Sequence, residues 1–136
     1  CTRCPVASHC EARALGLENE LPVKAAKPRP GEIVRSLLVI RRNGSVLLRR
    51  VESYSRRLAG FWELPGPEHL PAARAIRSIG DFSHTIVNTN HRCRVLLASA
   101  RAGGVCEWTP LSALAALPLS TMARKALTLA GVAFDR

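Results

Sequence analysis

Three cysteines fall within the first ten residues, spaced Cys1-x2-Cys4-x5-Cys10 in CTRCPVASHC. Two thiolates one turn apart and a third soon after let a compact loop surround one soft metal centre, either an iron–sulfur cube or a zinc ion. Three soft donors are one short of the usual four, so a fourth would lie upstream of Cys1 or be His9; otherwise the segment carries three free thiols. A second stretch, GDFSHTIVNTNHRCRV at residues 80–95, reads as a strand but sets two histidines, two asparagines, a serine and two arginines among its apolar residues. Phe82 leads this group, followed by Ser83, His84, His91 and Arg92. A strand in a globular core keeps polar groups apart, so this crowding suits a sheet rim that meets a polar partner. The plainer alternative makes Phe82 core, Ser83 a turn residue and His84 a surface histidine.

Charge bears on the partner. Twenty Lys and Arg oppose ten Asp and Glu in 136 residues, for a net charge of +10 and a pI near 10.7. Only Lys24, Lys27 and Lys125 are lysine; the other cations are arginine. Arginine grips phosphate bidentately and stacks on bases, which favours a nucleic-acid partner, although a GC-rich genome enriches arginine as well. The apolar fraction of 47% and mean hydropathy of +0.05 are those of a globular chain. No apolar run approaches the ~20 residues of a membrane span. The chain opens on a cysteine in a polar context, without a signal peptide, and reads as a fragment. Five cysteines without a secretory signal point to a reducing cytosol. Cys93 and Cys106 read as small buried apolar residues within strands.

These residues need elements to position them. HCEARALG near the start is a short helical stretch, and ENELPVKAAKPRPGE, with three prolines and three cations, reads as a linker. EIVRSLLVIRRNGSVLLRRV predicts a hairpin turning at Asn43-Gly44. A long connection carrying Tyr54, Phe61 and Trp62 ends at Pro65-Gly66-Pro67. LPAARAIRSIG predicts a short helix, with Pro71 at its first position and Gly80 just past its end. The polar strand and its continuation RCRVLLASA follow, then a Gly103-Gly104 turn and a short strand VCEWTP. The tail predicts two helices broken at Pro118, with Ser120 as N-cap, Gly131 as stop, and a core stripe of Leu119, Met122, Ala126 and Leu129. Strands in the middle and helices after them predict an α/β (α+β) domain, a mixed sheet with helices packed on it.

Several stretches agree on one resemblance. CTRCPVASHC, the following LPVKAAKPRP, the run LLVIRRNGSVLLRR with LAGFWELPG after it, and the closing segment from Trp108 through Leu127, with its LPLS and Arg124-Lys125, occur in an order and spacing similar to the C-terminal part of the MutY-type A/G-specific adenine DNA glycosylases. The resemblance spans nearly the whole chain. It implies that residues 1–17 end an iron–sulfur motif, 18–33 form a linker, and 34–136 form a Nudix-like (MutT-like) domain that recognises 8-oxoguanine. It also implies that Cys1, Cys4 and Cys10 are three of four ligands to a [4Fe–4S] cluster, the fourth lying seven positions upstream. The family acts in base-excision repair on adenine mispaired with 8-oxoguanine. This portion would read the 8-oxoguanine strand and hold no catalytic residue, because the glycosidic chemistry lies upstream.

Phe82-Ser83-His84 matches the family's Phe-Ser-His loop, which contacts 8-oxoguanine. Oxidation turns guanine N7 from an acceptor into an N–H donor and adds a carbonyl at C8. A serine hydroxyl accepts and donates, so it can sense that exchange, and an adjacent ring can wedge against the base stack. His91 and Arg92, on local composition, lie within reach of phosphates. The implied partner is double-stranded DNA containing 8-oxoguanine opposite adenine, met by a monomer in a bacterial cytoplasm, at the nucleoid and away from membranes.

Two other readings compete. One is a Nudix hydrolase of oxidised nucleoside diphosphate derivatives; the other is a non-catalytic interaction domain of the same fold. A working Nudix enzyme carries a glutamate-rich helix, G-x5-E-x7-R-E-U-x-E-E-x-G-U with U a bulky apolar residue, whose carboxylates hold divalent metal. After Gly66 this chain offers Glu68 and then no acid until Asp81, and Glu63 reads as structural.

Overall fold

The computed structural model describes residues 1–24, 31–101 and 104–134. The linker residues 25–30 and Gly103 of the expected turn lie outside the described residues. The N-terminal segment is a succession of turns with a 3₁₀ turn at Ala7–His9 and a one-turn helix α1 (Glu11–Ala14).

Strands follow: β1 (Gly31–Val39), β2 (Arg41–Arg42), β3 (Ser45–Arg50), β4 (Trp62–Glu63), β5 (Arg74–Ile86), β6 (Thr89–Ser99) and β7 (Cys106–Pro110). β1 begins at Gly31, inside the segment read as linker. One sheet has the order β1-β6-β5, with β1 parallel to β6 and β5 antiparallel to it. The other pairs β3 with β2, β4 and β7, all antiparallel. The backbone amide of Leu38 donates to the carbonyl of Pro65 at 2.8 Å, and that of Leu47 to Ile40 at 3.0 Å, so the sheets are joined near the middle of the domain.

The expected hairpin forms at Asn43-Gly44, both left-handed with φ of 47° and 71°. That matches the type I′ turn, whose twist suits the flanking strands. The apolar runs LLVI and VLL are buried on both faces, which is why they run on instead of alternating. Leu37, Val39, Val46 and Leu48 pack on one side beneath helix α2 (Thr121–Leu129), with Leu114, Ala126 and Leu127. Leu38, Ile40 and Leu47 pack on the other side with Leu70, Ala98 and Cys106. Cys93 and Cys106 are buried as expected.

The tail matches the expectation in part. Residues Leu111–Ala116 form a 3₁₀ helix, and α2 starts after Ser120, whose hydroxyl accepts from the Ala123 amide at 3.2 Å. The backbone turns at Gly131, with φ of 76°. The stripe differs at its end: Leu129 is exposed, whereas Ala123 and Leu127 are buried with Leu119, Met122 and Ala126.

Two expectations are overturned. Residues 70–80 are not a helix: after two turns the chain enters β5 at Arg74. The physical reason is tertiary. β6 lies between β1 and β5, so its backbone groups opposite β1 require a partner along Arg74↔Ser99 to Ile86↔Thr89, and that demand outweighs the helix preference of Ala72, Ala73 and Ala75, which is small beside tertiary pairing. Residues 80–95 are not one strand but a hairpin, with Val87 and Asn88 between the paired residues Ile86 and Thr89.

Leu127 has no exposed surface in the layer between α2 and the strands. Leu127→Ala is expected to lower the unfolding free energy by about 2–5 kcal/mol. Urea denaturation checks this as a fall in midpoint at unchanged slope.

Candidate functional site

The pairing of β5 with β6 places every residue picked out around the polar stretch. Phe82 lies opposite Cys93, Ser83 opposite Arg92, and His84 opposite His91. Side chains directly opposite in an antiparallel pair share a face, and successive ones alternate. The five residues therefore divide between two surfaces. Ser83 and Arg92 stand together on the exposed outer face, while Phe82, His84 and His91 turn inward toward α2. The tripeptide Phe82-Ser83-His84 is not one contiguous contact patch.

On the outer face, Arg92 Nε is 3.5 Å from Glu32 Oε1, and Arg94 Nε is 3.7 Å from Asp81 Oδ1. Both pairs are more than half exposed, so each is worth little and yields readily to a stronger anion. Ser83 and Thr85 complete an exposed polar row along β5. On the inner face, Phe82 packs against the core layer under α2, and Lys125 Nζ stands 5.7 Å from its ring centroid. That distance is a cation–π contact. Phe82 is thus half-buried against the core layer.

His91 is 4% exposed, and its Nδ1 has no hydrogen-bond partner. Burial holds its pKa below the ordinary histidine value, and the positive fields of Arg35, His84 and Arg57 push it further down. Folding therefore disfavours the charged imidazolium. The Arg57 contribution was missed from sequence, although Arg56-Arg57 lies in plain view in the 52–60 connection. That connection folds back onto the inner side of the hairpin tip, where a cavity of about 380 Å³ opens between Arg57, Leu58, His84, Val87 and the first turn of α2.

The acids lie elsewhere. Arg49 Nη2 donates to Glu63 Oε2 in a half-buried pair linking β3 and β4, so Glu63 is structural. His69 Nδ1 lies 3.0 Å from the Gly66 amide nitrogen and 3.1 Å from Glu68 Oε1. The amide can donate only to a lone pair on Nδ1, so in this arrangement the Glu68 carboxylate stands beside that nitrogen without a hydrogen bond to it. Burial and the nearby Arg49 lower the His69 pKa in the same sense, against the opposing pull of Glu68 and Glu63.

No family model matches the chain. Solved structures do. The MutT NUDIX hydrolase from Burkholderia pseudomallei is similar over 72% of this chain and 97% of its own, at 22% identity and a TM-score of 0.57. The MutT protein from Methanosarcina mazei Go1 is similar over 77% and 97%, at 16% identity and a TM-score of 0.62. The C-terminal domain of mouse MUTYH, solved in complex with human PCNA, is similar over 72% and 86%, at 20% identity and a TM-score of 0.52. The fold is Nudix-like.

Within this Nudix-like domain, the connection from Gly66 to Arg74 holds turns and no helix. Among the described residues, no three His, Cys, Asp or Glu are gathered as metal ligands. Cys1 and Cys4 are exposed and Cys10 is half-buried, on turns where the Cys4 amide donates to the Cys1 carbonyl at 3.1 Å. Their soft thiols suit an iron–sulfur centre in donor type, but they are not drawn together into a ligand set. Among the described residues, no helix is long and apolar enough to cross a membrane.

Both lowered histidine pKa values have the same consequence. The unfolded chain binds protons that the folded chain refuses, so stability is full above the ordinary histidine pKa of about 6.5 and falls as pH drops below it. The urea midpoint should decline from about pH 7 to about pH 5, and His91→Gln should flatten part of that decline. Parallel midpoint-against-pH curves for the two proteins would assign the decline to other groups.

Proposed function

We propose that this Nudix-like domain reads damaged DNA, recognising 8-oxoguanine opposite adenine as the C-terminal part of an A/G-specific adenine glycosylase. The observation that carries the reading is the exposed pairing of Ser83 with Arg92 on the outer face of the β5–β6 hairpin. Ser83 supplies a hydroxyl that accepts from the N7–H of 8-oxoguanine, where guanine presents an acceptor. Arg92 and Arg94, held only by loose exposed carboxylate contacts, supply cations for the flanking phosphates. The division of the tripeptide leaves Phe82 to brace β5 from beneath and to fix the rim that bears Ser83. The motif order at the sequence level and the likeness of fold to the C-terminal domain of mouse MUTYH support the same reading.

Cys1, Cys4 and Cys10 would hold three corners of a [4Fe–4S] cluster, with a fourth ligand from outside this set, and the cluster would act structurally. Hydrolysis of nucleoside diphosphates is disfavoured by the carboxylates themselves. Glu63 is tied to Arg49, Glu68 stands beside His69, and the Gly66–Arg74 connection adds no other acid. Hard divalent cations need clustered oxygens. Magnesium-dependent release of phosphate from 8-oxo-dGTP would restore the hydrolase reading.

Two duplexes that differ only in 8-oxoguanine or guanine opposite adenine test the proposal by fluorescence anisotropy. Binding should weaken steeply with salt, and Arg92→Ala should reduce the slope of log K against log salt by about one. Ser83→Ala should remove a preference for the oxidised duplex of roughly fivefold, the worth of about one hydrogen bond. Equal binding of both duplexes by the unaltered chain would defeat lesion reading.

A further inference from the structure

β5 is the outer strand of its sheet. The order is β1-β6-β5, and β5 pairs with β6 alone. Among the described residues, no backbone group of β5 is hydrogen-bonded to any other part of the chain backbone. Its other edge therefore presents an N–H and a C=O at every second residue without a partner. Such edges are commonly blunted by proline, lysine, bulges or shortness. β5 has no proline or lysine, and its register shifts lie between Ala75 and Arg77 and between Ser78 and Gly80. From Gly80↔Val95 to Ile86↔Thr89 the register is unbroken, so a regular free edge of seven residues remains.

A groove runs beside this edge. The alternate residues Gly80, Phe82, His84 and Ile86 face inward, toward α2. α2 lies along them: Thr121 stands near His84 and Ile86, and Lys125 over the Phe82 ring. Leu129 Cδ1 lies 4.0 Å from where a Cβ on Gly80 would stand. Phe82, Thr121, Arg124, Lys125, Thr128 and Leu129 line a groove of about 420 Å³ between strand and helix. Because β5 is the last strand, the sheet places nothing beyond the groove on that side.

The lining is apolar at Phe82 and Leu129, and its charged groups are both cations. Lys125 contacts the Phe82 ring, and Arg124 lies 5.4 Å from the Phe134 ring centroid. Among the described residues, neither cation pairs with a carboxylate.

Edge and groove together select the occupant. An open strand edge alternates donors and acceptors, and an extended peptide matches both, whereas phosphate oxygens only accept. Two unpaired cations beside an apolar floor call for carboxylates around one large apolar side chain. A second copy of this chain brings the wrong sign, because each carries a net charge of +10.

We infer that the Gly80–Ile86 edge of β5 takes up an extended acidic segment of a partner protein as an added strand. One apolar side chain of that segment rests on Phe82 and Leu129, and its carboxylates meet Arg124 and Lys125. The inference goes beyond lesion reading, which uses the outer-face side chains of Ser83 and Arg92 and leaves the backbone edge of β5 free.

The test uses the capped peptide acetyl-Thr-Glu-Thr-Leu-Thr-Glu-Thr-amide, which in extended form puts both glutamates and the leucine on one face. It is titrated into the 136-residue chain and followed by nuclear magnetic resonance. The expected result is saturable shifts at residues 80–86 and 121–129, slowed exchange at alternate amides of the strand, and a dissociation constant below about 1 mM. Only alternate peptide amides point at β5, so N-methylation of one alternate set should abolish binding and methylation of the other should be tolerated. Arg124→Glu with Lys125→Glu, both at exposed positions, should weaken the peptide at least about tenfold, as two exposed attractions become repulsions. That double variant should keep the oxidised-duplex preference, and Ser83→Ala should lose the preference and keep peptide binding. No shifts, indifference to which amides are methylated, or unweakened binding by the double variant would overturn the inference and leave lesion reading standing. Oligothymidylate protecting the same amides would assign the edge to nucleic acid instead, and concentration-dependent protection without peptide would assign it to a second copy; either result overturns it.

Discussion

The antiparallel register between β5 and β6 governs the rest of the molecule's surface chemistry. With Ser83 opposite Arg92 and His84 opposite His91, the period of two in an extended chain sends neighbouring polar residues to opposite sides of one sheet. A shift of one residue would bury Ser83 and Arg92 under α2 and expose Phe82 and Cys93. Burial of Cys93 and Val95 in the main core layer, with Phe82 packed half-buried against it, forbids that shift, so the hydrophobic face fixes where the polar face lies.

Between Gly66 and β5 this Nudix-like fold holds turns and a single acid, Glu68. From Gly66 the chain passes through short turns into the thirteen-residue β5. β5 and β6 end in a hairpin with an exposed tip at Val87. Of the nearby acids, Glu63 pairs with Arg49 across β3 and β4, and Glu68 stands beside His69. What the fold displays at the hairpin is cationic and hydrogen-bonding, with the His91 pKa lowered beneath it by burial and by surrounding positive charge.

Much of the architecture was legible in the chain. Asn43-Gly44 marks its turn because few residue pairs adopt two successive left-handed conformations without strain. Ser120 marks the start of α2 because a short hydroxyl can satisfy a free amide there. The doubly buried runs in β1 and β3 show themselves by their length without alternation. The segment RAIRSI was misleading, because alanine and arginine suit a helix equally well and only the open side of β6 made it a strand. Val87-Asn88 hid its turn because a β-branched residue in the left-handed region carries no turn signature.

By itself the sequence determined composition, charge, the punctuation of turns and caps, and the poverty of acids after Gly66, all of which depend on residue type or local conformation. It also named Ser83, Arg92, His84 and His91 as a polar group worth placing. Only the tertiary structure decided that the group belongs to two faces, that Phe82 packs against the core layer, and that Arg57 and α2 meet the hairpin tip around a cavity. The reason is that face and proximity are set by long-range pairing. Residues 57, 84 and 121 become neighbours only when β6 has found its partners on both sides and α2 has covered the layer beneath them.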